Sequence, residues 1–385
     1  MSSLRERLLR LELPEADEDA AWNVVRRAYA EREPVRRRHH LVRPALVLAV
    51  VLAAAAAAFA TPPGRAVLGS IANQLVGEKH AAPALFSLPS PGRLIVESSA
   101  GPWIVQADGS KRLLSRYRAL TWSPHGRFVA GTTTHELVAL EPGGKVHWSL
   151  ARPGAVRLAR WSPGTNDTRI AYFSGSQLRV VGGDGRGDRL LAANAAPVAP
   201  AWVPVDEPHL LAFADRRGGI HLVDVDRPAA LRAASAGEPP TELAWTADGR
   251  FLLALGRTQL RVFGPDRREI GRLRLPDAAH TLAVSPSGHR VALTSSDRHG
   301  RGEVLLYSPS SPSRPPQRLF ADPGEFGSLA WSPDGRWLLV GWPTANQWLF
   351  LRTARAPRIK AVANITQQFE SRSFPAVEGW CGGTR

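Results

Sequence analysis

LAWSPDGRWLLVGW, residues 329–342, sets a tryptophan, a Ser-Pro-Asp-Gly turn and an apolar run side by side. Worn copies recur upstream: TWSPHGRFVA (121–130), RWSPGTNDTRIAY (160–172), AWVPVDEPHLLAF (201–213), AWTADGRFLLAL (244–255) and AVSPSGHRVAL (283–293). The aromatic position falls at Trp122, Trp161, Trp202, Trp245, Val284 and Trp331, in steps of 39, 41, 43, 39 and 47 residues. A degenerate seventh turn, PSPGRLIV (89–96), precedes them. A period near 40 built from short strand-like segments is the mark of radially repeated β-sheets.

Each part of the repeat has a mechanical reason. Serine opens the turn, where its hydroxyl is expected to bond the backbone two residues on. Pro124, Pro163, Pro286 and Pro333 follow it and fix φ near −65°, and Asp334 suits the next turn position. Gly126, Gly249, Gly288 and Gly335 supply a left-handed residue that a side chain would penalise. The apolar runs that follow (FVA, FLLAL, WLLVGW) are nearly continuous, as expected for a strand covered on both faces. The tryptophan ending the preceding strand is expected to fill the wedge between neighbouring sheets.

About seventeen residues after each first turn comes a second: ADGS (107–110), EPGG (141–144), GGDGRGD (182–188), DVDRP (224–228), GPDRRE (264–269), SPSSPSRPP (308–316) and TARAP (353–357). Two hairpins per period mean four strands. Seven periods over residues 84–385, about 43 residues each, predict an all-β propeller of about seven four-stranded blades; six or eight also fit the spacing. The first blade lacks an innermost strand, which either ALFSLPS (84–90) or the tail AVEGWC (376–381) could supply. No helix is expected in this region.

The W-S-P-D-G-R pattern, complete at Trp331–Arg336 and weaker at Trp122–Arg127 and Trp245–Arg250, resembles the TolB-like, WD-repeat-like propellers. The resemblance covers about three quarters of the chain and implies a bacterial envelope protein. The copies at 161 and 202 depart from it through inserts in the turn. The motif speaks for fold, since many activities share the scaffold.

Upstream, residues 44–64 (PALVLAVVLAAAAAAFATPPG) carry no charge. As helix they would run about 31 Å, a bilayer's hydrocarbon thickness. Arg36, Arg37, Arg38 and Arg43 precede them, whereas only Arg65 and Lys79 follow within twenty residues. This asymmetry predicts a single-pass anchor in the cytoplasmic membrane, N-terminus inside and propeller outside; a signal peptide cleaved near Ala60 and a buried soluble helix are the other readings. Residues 1–43 read as two short helices split by Pro14. In the second, Trp22, Val25 and Tyr29 lie on one stripe, a surface for a cytoplasmic regulator. Residues 65–83 are a linker or amphipathic stalk. The layout resembles membrane-bound anti-sigma factors in architecture only.

Chemistry is sparse. The net charge of +15 comes almost wholly from arginine, a GC-rich bias or a taste for anionic partners. A single cysteine, Cys381, forms no internal disulfide. No G-x-S-x-G elbow and no Cys/His metal spacing is present, so no enzyme, metal or cofactor is expected. Asp184 and Asp188 in GGDGRGD suggest a calcium loop less well than a plain hairpin. The loops remain. The face opposite the motif turns collects Arg216, Arg217, Arg298, His299 and Arg301, with Tyr117, Phe326 and Trp342 as expected aromatic anchors. Arginine with aromatics is the composition of protein hot spots. The expectation is a non-enzymatic binding or scaffolding module whose partner is an envelope protein or anionic wall polymer. Nucleic acid is excluded if the ring lies outside the membrane. The alternative is a transmembrane regulator with the ring as its sensor.

Overall fold

A computed structural model describes residues 87–382, apart from 165–166, 206–207, 228–231, 235–237, 277, 279, 298 and 354–357. The expected cytoplasmic segment (1–43), span (44–64) and linker (65–83) lie outside the described residues, and so does Arg298. Among the described residues no helix is long and apolar enough to cross a membrane.

These residues form seven four-stranded antiparallel sheets. From the inside out, blade 1 is β28 (Ala376–Cys381), β1 (Arg93–Ser98), β2 (Gly101–Val105) and β3 (Lys111–Leu113). Blade 2 is β4 (Arg118–Trp122), β5 (Val129–Thr132), β6 (Glu136–Leu140) and β7 (Val146–Ala151). Blade 3 is β8 (Val156–Trp161), β9 (Arg169–Ser174), β10 (Gln177–Gly182) and β11 (Arg189–Ala192). Blade 4 is β12 (Ala201–Trp202), β13 (Leu210–Ala214), β14 (Ile220–Asp224) and β15 (Arg232–Ala234). Blade 5 is β16 (Glu242–Trp245), β17 (Leu252–Leu255), β18 (Gln259–Phe263) and β19 (Glu269–Arg274). Blade 6 is β20 (Leu282–Val284), β21 (Val291–Ser296), β22 (Gly302–Tyr307) and β23 (Gln317–Asp322). Blade 7 is β24 (Leu329–Trp331), β25 (Trp337–Trp342), β26 (Gln347–Arg352) and β27 (Ile359–Ala363). The blade number is therefore seven. Two short helical turns, Pro343–Ala345 and Ile365–Gln368, depart from the helix-free expectation. Both sit in connections, where the chain turns between strands.

The core is divided among the wedges: seven apolar clusters, each drawing on two neighbouring blades. The second strands, such as β5 and β17, are buried along their whole length because both faces meet a neighbour. The motif tryptophans sit in these wedges, and two also hydrogen-bond. The Trp331 indole donates to Ala283 O at 3.0 Å, and Trp202 to Arg160 O at 2.9 Å. In each case the acceptor precedes the aromatic position of the previous blade. The indole thus couples adjacent innermost strands as well as filling space.

The turn is built differently from expectation. Ser332 Oγ accepts from Trp337 N at 2.9 Å, five residues on rather than two. The hydroxyl donates to Asp334 Oδ1 at 2.6 Å, which also accepts from Arg336 N at 3.1 Å. Thr246 and Asp248 repeat this in blade 5. Ser162 still reaches Arg169 N at 2.8 Å across its lengthened turn. The hydroxyl spans the loop because the hairpin must return to the Trp337 N–H, whereas a local bond would close only its tip. Gly335 has φ +65°, as the motif demands.

The motif prolines divide along the same line. Pro124, Pro286 and Pro333 each hold the second place of a four-residue turn. Gly126 N, Gly288 N and Gly335 N donate back to Ser123 O, Ser285 O and Ser332 O, all at 2.8 Å. That is the position where a preset φ helps and no N–H is needed. Pro163 is the exception: it follows Ser162 into the lengthened turn, which closes from Ser162 N to Arg169 O at 2.7 Å, and it is exposed. The insert after Pro163 moves the return of the chain beyond a four-residue turn, so this proline starts the loop without defining its tip.

The tail closes the ring. β28 pairs with β1, Trp380 standing opposite Leu94 as Trp331 stands opposite Leu338. The first and last described strands thus share one blade, and no innermost strand is left unpaired there. Gly92 makes the closure sterically feasible: its φ is +124°, and a β-carbon there would lie 2.3 Å from Cys381 O. Leu88 N donates to Ala107 O, so the chain joins the ring on the face that carries the motif turns.

Candidate docking faces

In a blade whose strands alternate in direction, the first and third connections share one face. The second connections and the crossovers between blades share the other. That second face holds the loops singled out from sequence, and two of them are copies of one turn. In blade 4, Asp215 Oδ1 accepts from Arg217 N at 2.7 Å and Gly219 N at 2.9 Å. In blade 6, Asp297 Oδ1 accepts from His299 N at 2.8 Å and Arg301 N at 2.9 Å. Gly218 and Gly300, at φ +82° and +74°, occupy the same place in each turn. Within each loop one aspartate oxygen is taken up by backbone N–H groups, and the basic side chains that follow are at the surface: Arg216, Arg217, His299 and Arg301 are exposed. The sequence signal is Asp-Arg-x-Gly, at 215–218 and 297–300, and its repetition at blades 4 and 6 escapes a reading by composition.

The hydrogen bond from His221 holds the Asp215 carboxyl below its ordinary range, and backbone bonds from Arg301 and His299 do the same for Asp297. His221 Nε2 lies 2.7 Å from Asp215 Oδ2 and stacks on Phe213, rings 5.1 Å apart. The blade 4 loop is thereby pinned at its base.

The aromatic residues lie elsewhere than expected. Tyr117 and Phe326 are each 7% exposed and belong to wedge clusters, so neither is a surface anchor. Phe326 packs against Phe320 and Trp342, with ring centroids 5.6 and 5.7 Å away, and Trp342 is half-buried. Their place in crossover loops suggested exposure, but those loops fold back over the wedge. The face is basic and largely without aromatic studs.

The innermost strands line the central channel of the ring, whose mouth belongs to this face. Glu242 on β16 interacts with Arg160 of blade 3 and Glu378 of blade 1. Three non-adjacent blades thus share one electrostatic environment. Burial pushes the Glu242 carboxyl up to about 7, against the Leu282 N–H it accepts at 3.2 Å. Burial likewise raises Glu97 to about 7, and it accepts from Ala119 N at 3.1 Å. Each of these bonds joins one blade to the next.

The glycine-rich loop 182–188 is a structural seam. The Trp148 indole of blade 2 lies on Gly185, where a β-carbon would meet the ring at 2.8 Å, and donates to Gly183 O at 2.9 Å. Asp188 receives Arg152 of blade 2, Arg179 Nη2 at 2.5 Å and the Tyr172 hydroxyl. A carboxylate so occupied does not serve calcium. Among the described residues no three His, Cys, Asp or Glu gather as metal ligands.

No family model matches the chain, and no curated protein matches its sequence. Solved structures share its fold. A functionally unknown protein from Desulfotomaculum acetoxidans is 14% identical with a TM-score of 0.56, covering 76% of this chain and all of its own. The Swd1 propeller domain of Myceliophteria thermophila is 13% identical with a TM-score of 0.50, covering 65% of this chain and 86% of that one. A chain of the mitotic checkpoint complex is 16% identical with a TM-score of 0.50, covering 63% and 78%. At such identities the likeness establishes a seven-bladed, WD-repeat-like propeller fold.

Proposed function

We propose that this propeller is a non-enzymatic interaction module of the bacterial envelope, TolB-like in use and docking a protein on its second-connection face. One observation carries the reading: the Asp-Arg-x-Gly turn, built twice with the same backbone bonds, holds Arg216, Arg217 and Arg301 exposed on loops closed by those bonds. Arginines offered on pre-organised loops lose little entropy on binding and suit an acidic partner surface. The fold's presence in a mitotic checkpoint complex supports protein docking as a general use of such rings.

The uncharged stretch 44–64, with arginines concentrated before it, supports a single-pass anchor with residues 1–43 in the cytoplasm. Charge reversal of Arg216, Arg217 and Arg301 together tests the docking face. Capture of the envelope partner by affinity purification should drop at least about tenfold; undiminished capture sinks the reading.

The Trp22, Val25, Tyr29 stripe favours a second role, a transmembrane regulator holding a cytoplasmic transcription factor. Full-length protein and a chain lacking residues 1–43 separate the two by crosslinking. Loss of a cytoplasmic factor on deletion marks signalling; an envelope partner kept on deletion marks scaffolding.

A further inference from the structure

On the motif-turn face, a cleft of about 890 Å³ opens between blades 1 and 2. Its walls come from β1, the motif turn of blade 2 and the outer hairpins of both blades. Arg93, Arg112 and Arg127 line it, with Ile104, Phe128 and the Glu141–His147 pair. We propose that this cleft binds a phosphate group carried on a ring, a sugar or nucleoside phosphate, with the three guanidiniums holding the phosphate and Phe128 flanking the ring.

Charge comes first. Arg93 Nη2 donates to Gly126 O at 2.5 Å while its guanidinium stacks 5.0 Å from the Trp122 ring centre. Arg112 Nη1 donates to Gly143 O at 2.6 Å. The Arg127 guanidinium lies 6.0 Å from the Phe128 ring centre. Carbonyls and rings orient these groups without cancelling their charge, and among the described residues no carboxylate pairs with any of the three. Glu141, the acid in the cleft, is taken by His147 at 3.0 Å and Lys145 at 3.9 Å. Planar guanidiniums held in place, with donors to spare, match phosphate oxygens better than they match a lone carboxylate.

Shape comes second. Phe128 occupies the motif position that Phe251 and Trp337 fill in blades 5 and 7, where they are 8% and 9% exposed. Phe128 remains partly exposed and meets His147 edge-on, rings 4.7 Å apart. Its ring packs on the apolar cluster between blades 2 and 3 yet also lines the cleft on the blade 1 side, and the volume accommodates a ring as well as an ion.

The test is calorimetric titration of the full-length protein with phenyl phosphate, phenol and inorganic phosphate. Phenyl phosphate should bind saturably, inorganic phosphate more weakly and phenol not at all. Arg112→Gln and Arg127→Gln, both exposed, should each weaken phenyl phosphate about tenfold. Arg93 also braces Trp122, so Arg93→Lys is read only alongside an unfolding curve matching the parent. No phenyl phosphate binding, or binding that both glutamine variants leave unchanged, overturns the assignment. Retention on phosphatidylglycerol vesicles without phenyl phosphate binding also overturns it, in favour of a membrane surface.

Discussion

The indole N–H of Trp331 donates to the backbone carbonyl of Ala283 at 3.0 Å, 48 residues back in the chain and one blade away. The bond ties blade 7 to the innermost strand of blade 6, as the Trp202 indole ties blade 4 to that of blade 3. Trp331→Phe keeps most of the buried ring and loses the donor, and should cost about 1 kcal/mol. Trp331→Ala should cost about 3–5 kcal/mol by cavity formation. Urea unfolding read by far-ultraviolet circular dichroism measures both; equal losses would mean that the hydrogen bond adds nothing.

Ring closure depends on Gly92. Gly92→Ala places a methyl against Cys381 O in a backbone region that side chains avoid, and should destabilise by at least about 1–3 kcal/mol. Limited proteolysis should then cut first at the freed tail, residues 376–385. An unaltered melting curve would show that β28 closes the blade with slack to spare.

Two carboxyls set a pH dependence. Glu97 and Glu242 titrate near 7 in the folded ring against an ordinary 4.5. The folded state therefore binds more protons than the unfolded chain between roughly pH 4.5 and 7, and stability falls as pH rises through that window. For Glu242, the more enclosed of the two half-buried carboxyls, the loss is at most of order 2–3 kcal/mol; Glu97 contributes less. Asp215, lowered by His221, acts in the opposite sense only below about pH 4. Glu242→Gln should flatten the neutral limb in a series of melts from pH 4.5 to 7.5. A parent protein equally stable across that range would refute the channel's electrostatics.

Asp188 binds blade 2 to blade 3 through Arg152 and Arg179. Asp188→Asn leaves two guanidiniums short of a counter-charge and should cost about 3–5 kcal/mol. Calcium should leave the melting temperature of the parent unchanged. A calcium-dependent rise lost in Asp188→Asn would restore the metal reading.

The fold was legible because its signals are local and repeated. Tryptophan, turn and apolar run recur in most blades, and Trp331–Arg336 alone dictates a hairpin. Even the closing strand, AVEGWC, was one of two candidates, since a ring leaves its first blade short of a partner. The role of Ser332 was misjudged because a hydroxyl's reach across a loop depends on where the returning strand lies. Tyr117 and Phe326 were misplaced for a related reason: a crossover loop can cover a wedge, and its hydrophobicity alone does not tell which way it folds. The channel pair of Glu242 and Arg160 joins residues 82 apart on separate blades. No periodicity brings them together, and the cleft beside Phe128 shows only when one motif aromatic is seen less covered than its equivalents.

The most direct test of the docking face is site-specific photocrosslinking in intact cells, with a photoreactive residue in place of Arg217 on one face or Arg336 on the other. The account predicts a discrete protein adduct from position 217 and none from 336. An adduct from 336 with none from 217 would contradict it.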